Sequence, residues 1–203
     1  MFIAAQLDHC ALLPLIAIQN ELKKLVPGNV LKFTPERQLH VTLVFLGDVD
    51  SKQLPRLKQA LESSELLNPF EISIDTFDAF KRQGLPTIYW AGFNPPPSLV
   101  KYHSGLVNSL KTFLSIQNQR FTPHITLARV KGNLSADELK QLDDYTKVAN
   151  SHLKQQSLIS EIVLFRSDLS PVGPTYSNLY TTRVSHFCQK WEFQRGEKKD
   201  SGH

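Results

Sequence analysis

Two segments of the chain carry one four-residue pattern, His40-Val41-Thr42-Leu43 and His124-Ile125-Thr126-Leu127, 84 positions apart. Each lies in a run rich in apolar and β-branched residues, 39–46 and 121–130, which reads as a strand. Side chains alternate along a strand, so residues two apart share a face. His40 and Thr42 therefore point one way, Val41 and Leu43 the other, and Ile125 and Leu127 are divided from His124 and Thr126 in the same manner. Each strand presents an imidazole and a hydroxyl together, pinned from behind by apolar packing. A fold that accommodates both must bury two apolar faces, and a pseudo-twofold axis relating the strands would bring the two His/Thr faces around one cleft.

The rest of the chain supports a repeated order. A strand is expected over 2–7 and a helix over 10–26, capped by Asp8 and carrying Leu12, Leu15, Ile16, Gln19, Leu22 and Leu25 at three- and four-residue steps. Pro27-Gly28-Asn29 ends that helix, and 30–33 reads as a short strand. After the first motif come a helix over 53–66, an alternating strand over 70–77 and a strand over 87–93. Asn94-Pro95-Pro96-Pro97 marks a soft lobe boundary near 94–98. A helix over 99–114, the second motif strand, a helix opened by the Ser135/Glu138 capping box and running through 148, and strands over 157–166 and 176–184 complete the order. The expected class is α+β, with two pseudo-symmetric lobes whose antiparallel sheets flank a cleft and whose helices lie outside. The expected organisation is one bilobal domain over 1–185 and an extension over 186–203 that is polar and partly disordered.

Composition excludes several classes. No apolar run approaches the 18–20 residues of a membrane span, and the 10–18 segment, interrupted by Pro14 and preceded by Asp8, does not read as a signal peptide. Cys10 and Cys188 show neither metal spacing nor a disulfide framework, so a reduced, cytoplasmic protein is expected. The net charge of +4 is unevenly spread: from Asn94 to Ala136 there is no Asp or Glu, yet Lys101, Lys111, Arg120, Arg129 and Lys131 fall there. Such a stretch is either a solvated face or a surface that meets phosphate.

The paired motif is a coherent toolkit for phosphoryl transfer. One neutral imidazole takes a proton from the nucleophile and the other, protonated, gives one to the leaving oxygen. The two threonine hydroxyls donate to non-bridging oxygens. A metal site would want carboxylate, imidazole or thiolate where the motif places threonine, and no Gly-rich phosphate loop or Ser/His/acid arrangement is visible.

The blocks Leu39-His40-Val41-Thr42-Leu43-Val44-Phe45-Leu46-Gly47 and Phe121-Thr122-Pro123-His124-Ile125-Thr126-Leu127-Ala128-Arg129 resemble the two signature blocks of the two-histidine phosphoesterases, and within them the RNA 2′,3′-cyclic phosphodiesterases, also called 2′-5′ RNA ligases. Phe2-Ile3-Ala4, Tyr89-Trp90-Ala91-Gly92 and the stretch around Leu164, Ser167, Gly173 and Tyr176 fit as well, so the resemblance covers residues 1–185. It implies a bilobal fold, hydrolysis of a terminal 2′,3′-cyclic phosphate to a 2′-phosphate with neither metal nor cofactor, and reversible ATP-independent 2′-5′ ligation. It implies His40 as proton donor and His124 as acceptor, with roles that depend on direction, and RNA ends or nucleotide 2′,3′-cyclic phosphates as partners of a monomer. Arg129 matches an arginine that follows the second motif, a phosphate clamp. It stands five residues past His124, so strict alternation puts it on the opposite face, as a salt-bridged or solvated residue, unless a bulge or a strand end re-aims it. Phe45, its counterpart in the first block, is either a base-stacking ring or a core residue. Lys32-Phe33 stands where many relatives carry Arg-Trp. Other reactions of these enzymes, on cyclic nucleotides, ADP-ribose cyclic phosphate or 2′-5′ oligoadenylate, and RNA binding without catalysis, stay open.

Overall fold

The two motif runs are strands, as their alternation requires, and the helices and hairpins around them set where they meet. The structure is a computed structural model that describes residues 1–183 apart from residues 27, 65–67, 118–119 and 171–172; Val184, Cys188 and the extension 186–203 lie outside the described residues. Ten strands and four helices follow one another in it: β1 (Phe2–Gln6), α1 (His9–Leu25), β2 (Leu31–Phe33), β3 (His40–Phe45), α2 (Leu54–Ser63), β4 (Phe70–Ile74), β5 (Thr76–Arg82), β6 (Leu85–Gly92), α3 (Pro97–Lys111), β7 (His124–Val130), α4 (Ala136–His152), β8 (Gln155–Ile159), β9 (Glu161–Ser170) and β10 (Gly173–Arg183).

Local chemistry explains the helix ends. Asp8 caps α1 by accepting from the Ala11 amide at 2.8 Å, and its other oxygen accepts from Leu158 of β8 at 3.1 Å. The Ser135/Glu138 capping box opens α4 with both reciprocal bonds in place. Asn150 of α4 both donates to and accepts from the Phe77 backbone, which locks α4 onto β5. Among the described residues no helix is long and apolar enough to cross a membrane.

One sheet runs β10-β9-β1-β3, the other β2-β7-β6-β5, and β4 pairs with β8 in a separate ribbon; every pairing is antiparallel. The lobes therefore do not divide at 94–98. Each sheet takes strands from both sides of that point, and the Pro-rich segment only leads into α3. The repeat begins one strand earlier than expected, at the β5–β6 hairpin, where Gln83 (φ 53°) and Gly84 (φ 81°) supply the two positive φ values of a tight turn. Each repeat is strand, helix, motif strand, helix, strand, strand: β1, α1, β3, α2, β4, β5, then β6, α3, β7, α4, β8, β9. β2 and β10 are additions.

The expected strands over 70–77 and 157–166 are each two strands, because each chain segment leaves the β4–β8 ribbon and joins a sheet, breaking at Asp75 and at Ser160. The ribbon register carries the symmetry. Ile72 pairs with Ser157, 85 positions on, and the rungs on either side, Phe70 with Ile159 and Ile74 with Gln155, are images of one another. The last strand of each repeat pairs with the first strand of the other, β5 with β6 and β9 with β1. The first helix of each repeat likewise lies on the other's motif strand, α1 on β7 and α3 on β3. Leu15, Leu22 and Val26 on one side, Leu99, Leu106 and Leu110 on the other, are buried at equivalent places in one continuous core.

Candidate active site

β3 and β7 approach one another across the two sheets, and the alternation deduced from sequence holds along both. Val41, Leu43, Ile125 and Leu127 are buried, while His40, Thr42, His124 and Thr126 are half-buried. Alternation then fails at the same place in each strand. Thr42 pairs with Ala4 and Val44 with Ile3, leaving Leu43 as an extra residue; Thr126 pairs with Trp90 and Ala128 with Tyr89, leaving Leu127 as an extra residue. Each is a β-bulge, which turns the residues beyond it by one face. Two consecutive buried residues follow, Leu43-Val44 and Leu127-Ala128, and then Phe45 and Arg129 emerge exposed on the His/Thr side. The bulge resolves the conflict between Arg129's spacing and its expected place.

Both histidines are held by one device. Nδ1 of His40 meets the Gln38 carbonyl at 2.6 Å, and Nδ1 of His124 meets the Thr122 carbonyl at 2.9 Å. A carbonyl only accepts, so each Nδ1 carries its proton and each Nε2 is the reactive atom. The two Nε2 atoms differ. His40 Nε2 lies 3.1 Å from the Thr42 hydroxyl, whereas His124 Nε2 has no hydrogen-bond partner among the described residues.

Aromatic rings set each imidazole's plane. His40 stacks on Phe2 at 5.1 Å between centroids and meets the edge of Tyr176 at 5.6 Å, with Phe165 at 6.3 Å. His124 stands edge-on to Phe80 at 4.9 Å and to Trp90 at 6.2 Å. Rung for rung, Phe165-Phe2-Phe45 in one sheet matches Phe80-Ile88-Arg129 in the other, so Phe165 and Phe80 are equivalent side chains. Their wide separation hid them in the sequence. Lys32 stands opposite Arg129 in the β2–β7 ladder and reaches toward the β9–β10 hairpin, where a Cβ on Gly173 would fall 2.6 Å from its ammonium.

Burial pushes the His40 pKa below its ordinary 6.5; the Gln38 carbonyl opposes this, and the charges of His124 and Arg129 add to it. The first motif's imidazole thus feels both the second motif's histidine and its arginine. Tyr176 feels Arg129 too. Thr42, Phe45 and His124 share a cavity of about 690 Å³ with Arg120, Phe121 and His103. His40 lines a second, of about 330 Å³, with Arg37, Gln6 and Tyr176. Of the five cations in the acid-free stretch, Arg120 lines the larger cavity and Arg129 acts on His40; Lys101, Lys111 and Lys131 are exposed and line neither cavity. Arg129 forms no ion pair among the described residues, where no group of three or more His, Cys, Asp or Glu could hold a metal.

Known proteins resemble this chain in sequence and in fold. RNA 2′,3′-cyclic phosphodiesterase of Methanothermobacter thermautotrophicus is 29% identical over 184 residues, spanning 90% of this chain and 97% of the relative. Its namesake in Archaeoglobus fulgidus is 28% identical over 158 residues, 78% of this chain and 86% of that one. The solved structure of TT0787 from Thermus thermophilus superposes with a TM-score of 0.72 at 25% identity, covering 90% of this chain and 96% of that one. E. coli LigT complexed with 3′-AMP has the same fold, with a TM-score of 0.68 at 19% identity over 91% and 97% of the two chains. The model of the 2′-5′ RNA ligase superfamily matches residues 14–169, and the chain belongs to that superfamily.

Proposed function

We propose that this protein is an RNA 2′,3′-cyclic phosphodiesterase that opens a terminal 2′,3′-cyclic phosphate to a 2′-phosphate by paired histidine acid–base chemistry. One observation carries the reading: two imidazoles, each with Nδ1 tied to the carbonyl two residues before it, present Nε2 from facing strands beside a cleft that also holds a threonine of the motif. The relatives named for this activity support it.

In the proposed step, water attacks phosphorus while His124 Nε2 takes its proton. The bond from phosphorus to O3′ breaks, and O3′ takes a proton from His40 Nε2. The product is a 2′-phosphate with a free 3′-hydroxyl. A 5′-hydroxyl in place of water would give a 2′-5′ linkage by the same step, and cleavage of that linkage exchanges the two roles. His124, with an unengaged Nε2, suits the acceptor role. His40 gives its proton up readily, since burial and the charge of Arg129 lower its pKa; an anionic phosphate between the histidines favours the proton it must donate. Thr42 and Thr126 donate to the non-bridging oxygens, Arg129 neutralises their charge, and Phe45, 62% exposed beside the cleft, stacks on a base.

The test is incubation of a dinucleotide 2′,3′-cyclic phosphate with enzyme in excess EDTA, read by ³¹P NMR. The expected product is the 2′-phosphate alone. No turnover, a 3′-phosphate, or turnover that needs added zinc would overturn the proposal, and a panel including cyclic nucleotides and ADP-ribose cyclic phosphate places the substrate within the superfamily's reactions.

A further inference from the structure

We infer that Gln19 is a positioning residue for this reaction, acting through the Leu127 carbonyl to hold the β7 bulge that turns Arg129 toward the histidines. Gln19 and Ser157 are the buried polar residues among those described. Gln19 sits mid-α1 between Leu15 and Leu22, where packing alone calls for an apolar side chain, and a buried carboxamide is unfavourable unless its groups are bonded. Its Nε2 donates to Leu127 O at 2.9 Å and to Thr34 O at 2.8 Å. Leu127 is the extra residue of the bulge, 108 positions along the chain, and its carbonyl also accepts from the Thr34 amide at 2.9 Å. Gln19 is thus the second donor on the carbonyl that sits at the turn, two residues before Arg129. Without it the Thr34 bond remains, so the fold is kept while the turn is held at one point instead of two.

The symmetry of the molecule supplies an independent observation. The residue 84 positions after Gln19 is His103, at the same place on α3, flanked by Leu99 and Leu106 as Gln19 is by Leu15 and Leu22. The His103 ring faces the Leu43 backbone, the extra residue of the other bulge. Each repeat's first helix therefore sends one polar side chain to the other repeat's bulge. The bulge that carries the cation has a group that cannot titrate; the bulge that carries Phe45 has an imidazole, stacked on Phe121 at 4.0 Å.

The kinetic arm of the test rests on the proposed hydrolysis; the structural arm does not. Gln19→Leu, Arg129→Ala and the double variant are compared for kcat on a dinucleotide cyclic phosphate, with Gln19→Met as a second, more flexible replacement in case Leu disturbs packing. Gln19→Leu is expected to lower kcat on the order of 10- to 100-fold, and to cost less than about twofold further when Arg129 is already Ala, because both act through one cation. Multiplicative losses would show a merely structural role and overturn the inference. A crystal structure of the Gln19 variant is expected to show the Leu127 carbonyl and Arg129 turned away from His124. An unmoved bulge and arginine would overturn it, whether or not the wild-type protein turns over a cyclic phosphate.

Discussion

β3 and β7 have one backbone and two sets of side chains. Both carry His-x-Thr, both bulge at the residue after the threonine, and both hold Nδ1 on the carbonyl two residues upstream. Beyond the bulge they part: β3 delivers Phe45, β7 delivers Arg129. His40 is enclosed by Phe2, Phe165 and Tyr176 and engaged with Thr42, whereas His124 makes T-shaped contacts with Phe80 and Trp90 and has no Nε2 partner among the described residues. In the proposed mechanism the two strands divide the work: symmetry presents two Nε2 atoms from facing strands, and asymmetry in what surrounds them suits one to the acid and the other to the base.

The largest effects should come from removing what the halves share. His40→Ala and His124→Ala are each expected to lower kcat by about 10²–10⁴-fold, the usual worth of a positioned acid or base, while circular dichroism and melting stay near wild type. Near-normal turnover in either variant would break the idea of one joint site.

Exchanging what differs should cost less and unequally. Arg129→Ala is expected to lower kcat by about 10²–10³-fold, in the range of a lost transition-state donor. Phe45→Ala should act mainly on KM, by roughly 1–3 kcal/mol of lost stacking, and only for substrates with a base in the cleft. Steady-state kinetics on a dinucleotide and on a ribose cyclic phosphate lacking the base separate the two. Equal losses in kcat would erase the distinction between Phe45 and Arg129.

The pH dependence sharpens the comparison further. Arg129 and His124 both push the His40 pKa down, so Arg129→Leu should move it up toward 6.5. As the proposed proton donor, His40 would set the alkaline limb of the rate profile, and that limb should then shift to higher pH. NMR titration of the His40 ring measures the shift directly; a move downward would contradict the placement of Arg129 beside it.

Stability offers the smallest effect. Burial lowers both His40 and His103 below 6.5, so in the window just below that value the unfolded chain binds more protons than the folded one. Stability is then full above 6.5 and falls as the pH drops through the window. Thermal melts of His103→Gln, beside wild type, should show a shallower loss on acidification.

The sequence by itself determined the pair of motif strands, because period two and the repeated His-x-Thr leave little freedom over which residues face the site. It also determined the Asp8 and Ser135 caps, since helix-opening chemistry is local. It did not separate β4 from β5 or β8 from β9, because nothing local marks a strand that changes sheets at Asp75 or Ser160. The exchange of strands between repeats, the positions of the bulges at Leu43 and Leu127, the matching of Phe80 with Phe165 and of Gln19 with His103 were decided by the tertiary structure. Each is a relation between residues tens of positions apart, fixed by hydrogen-bond register and packing. Arg129 shows both at once: its identity could be read in the chain, while its direction was decided by one extra residue in a ladder and a carboxamide on a distant helix.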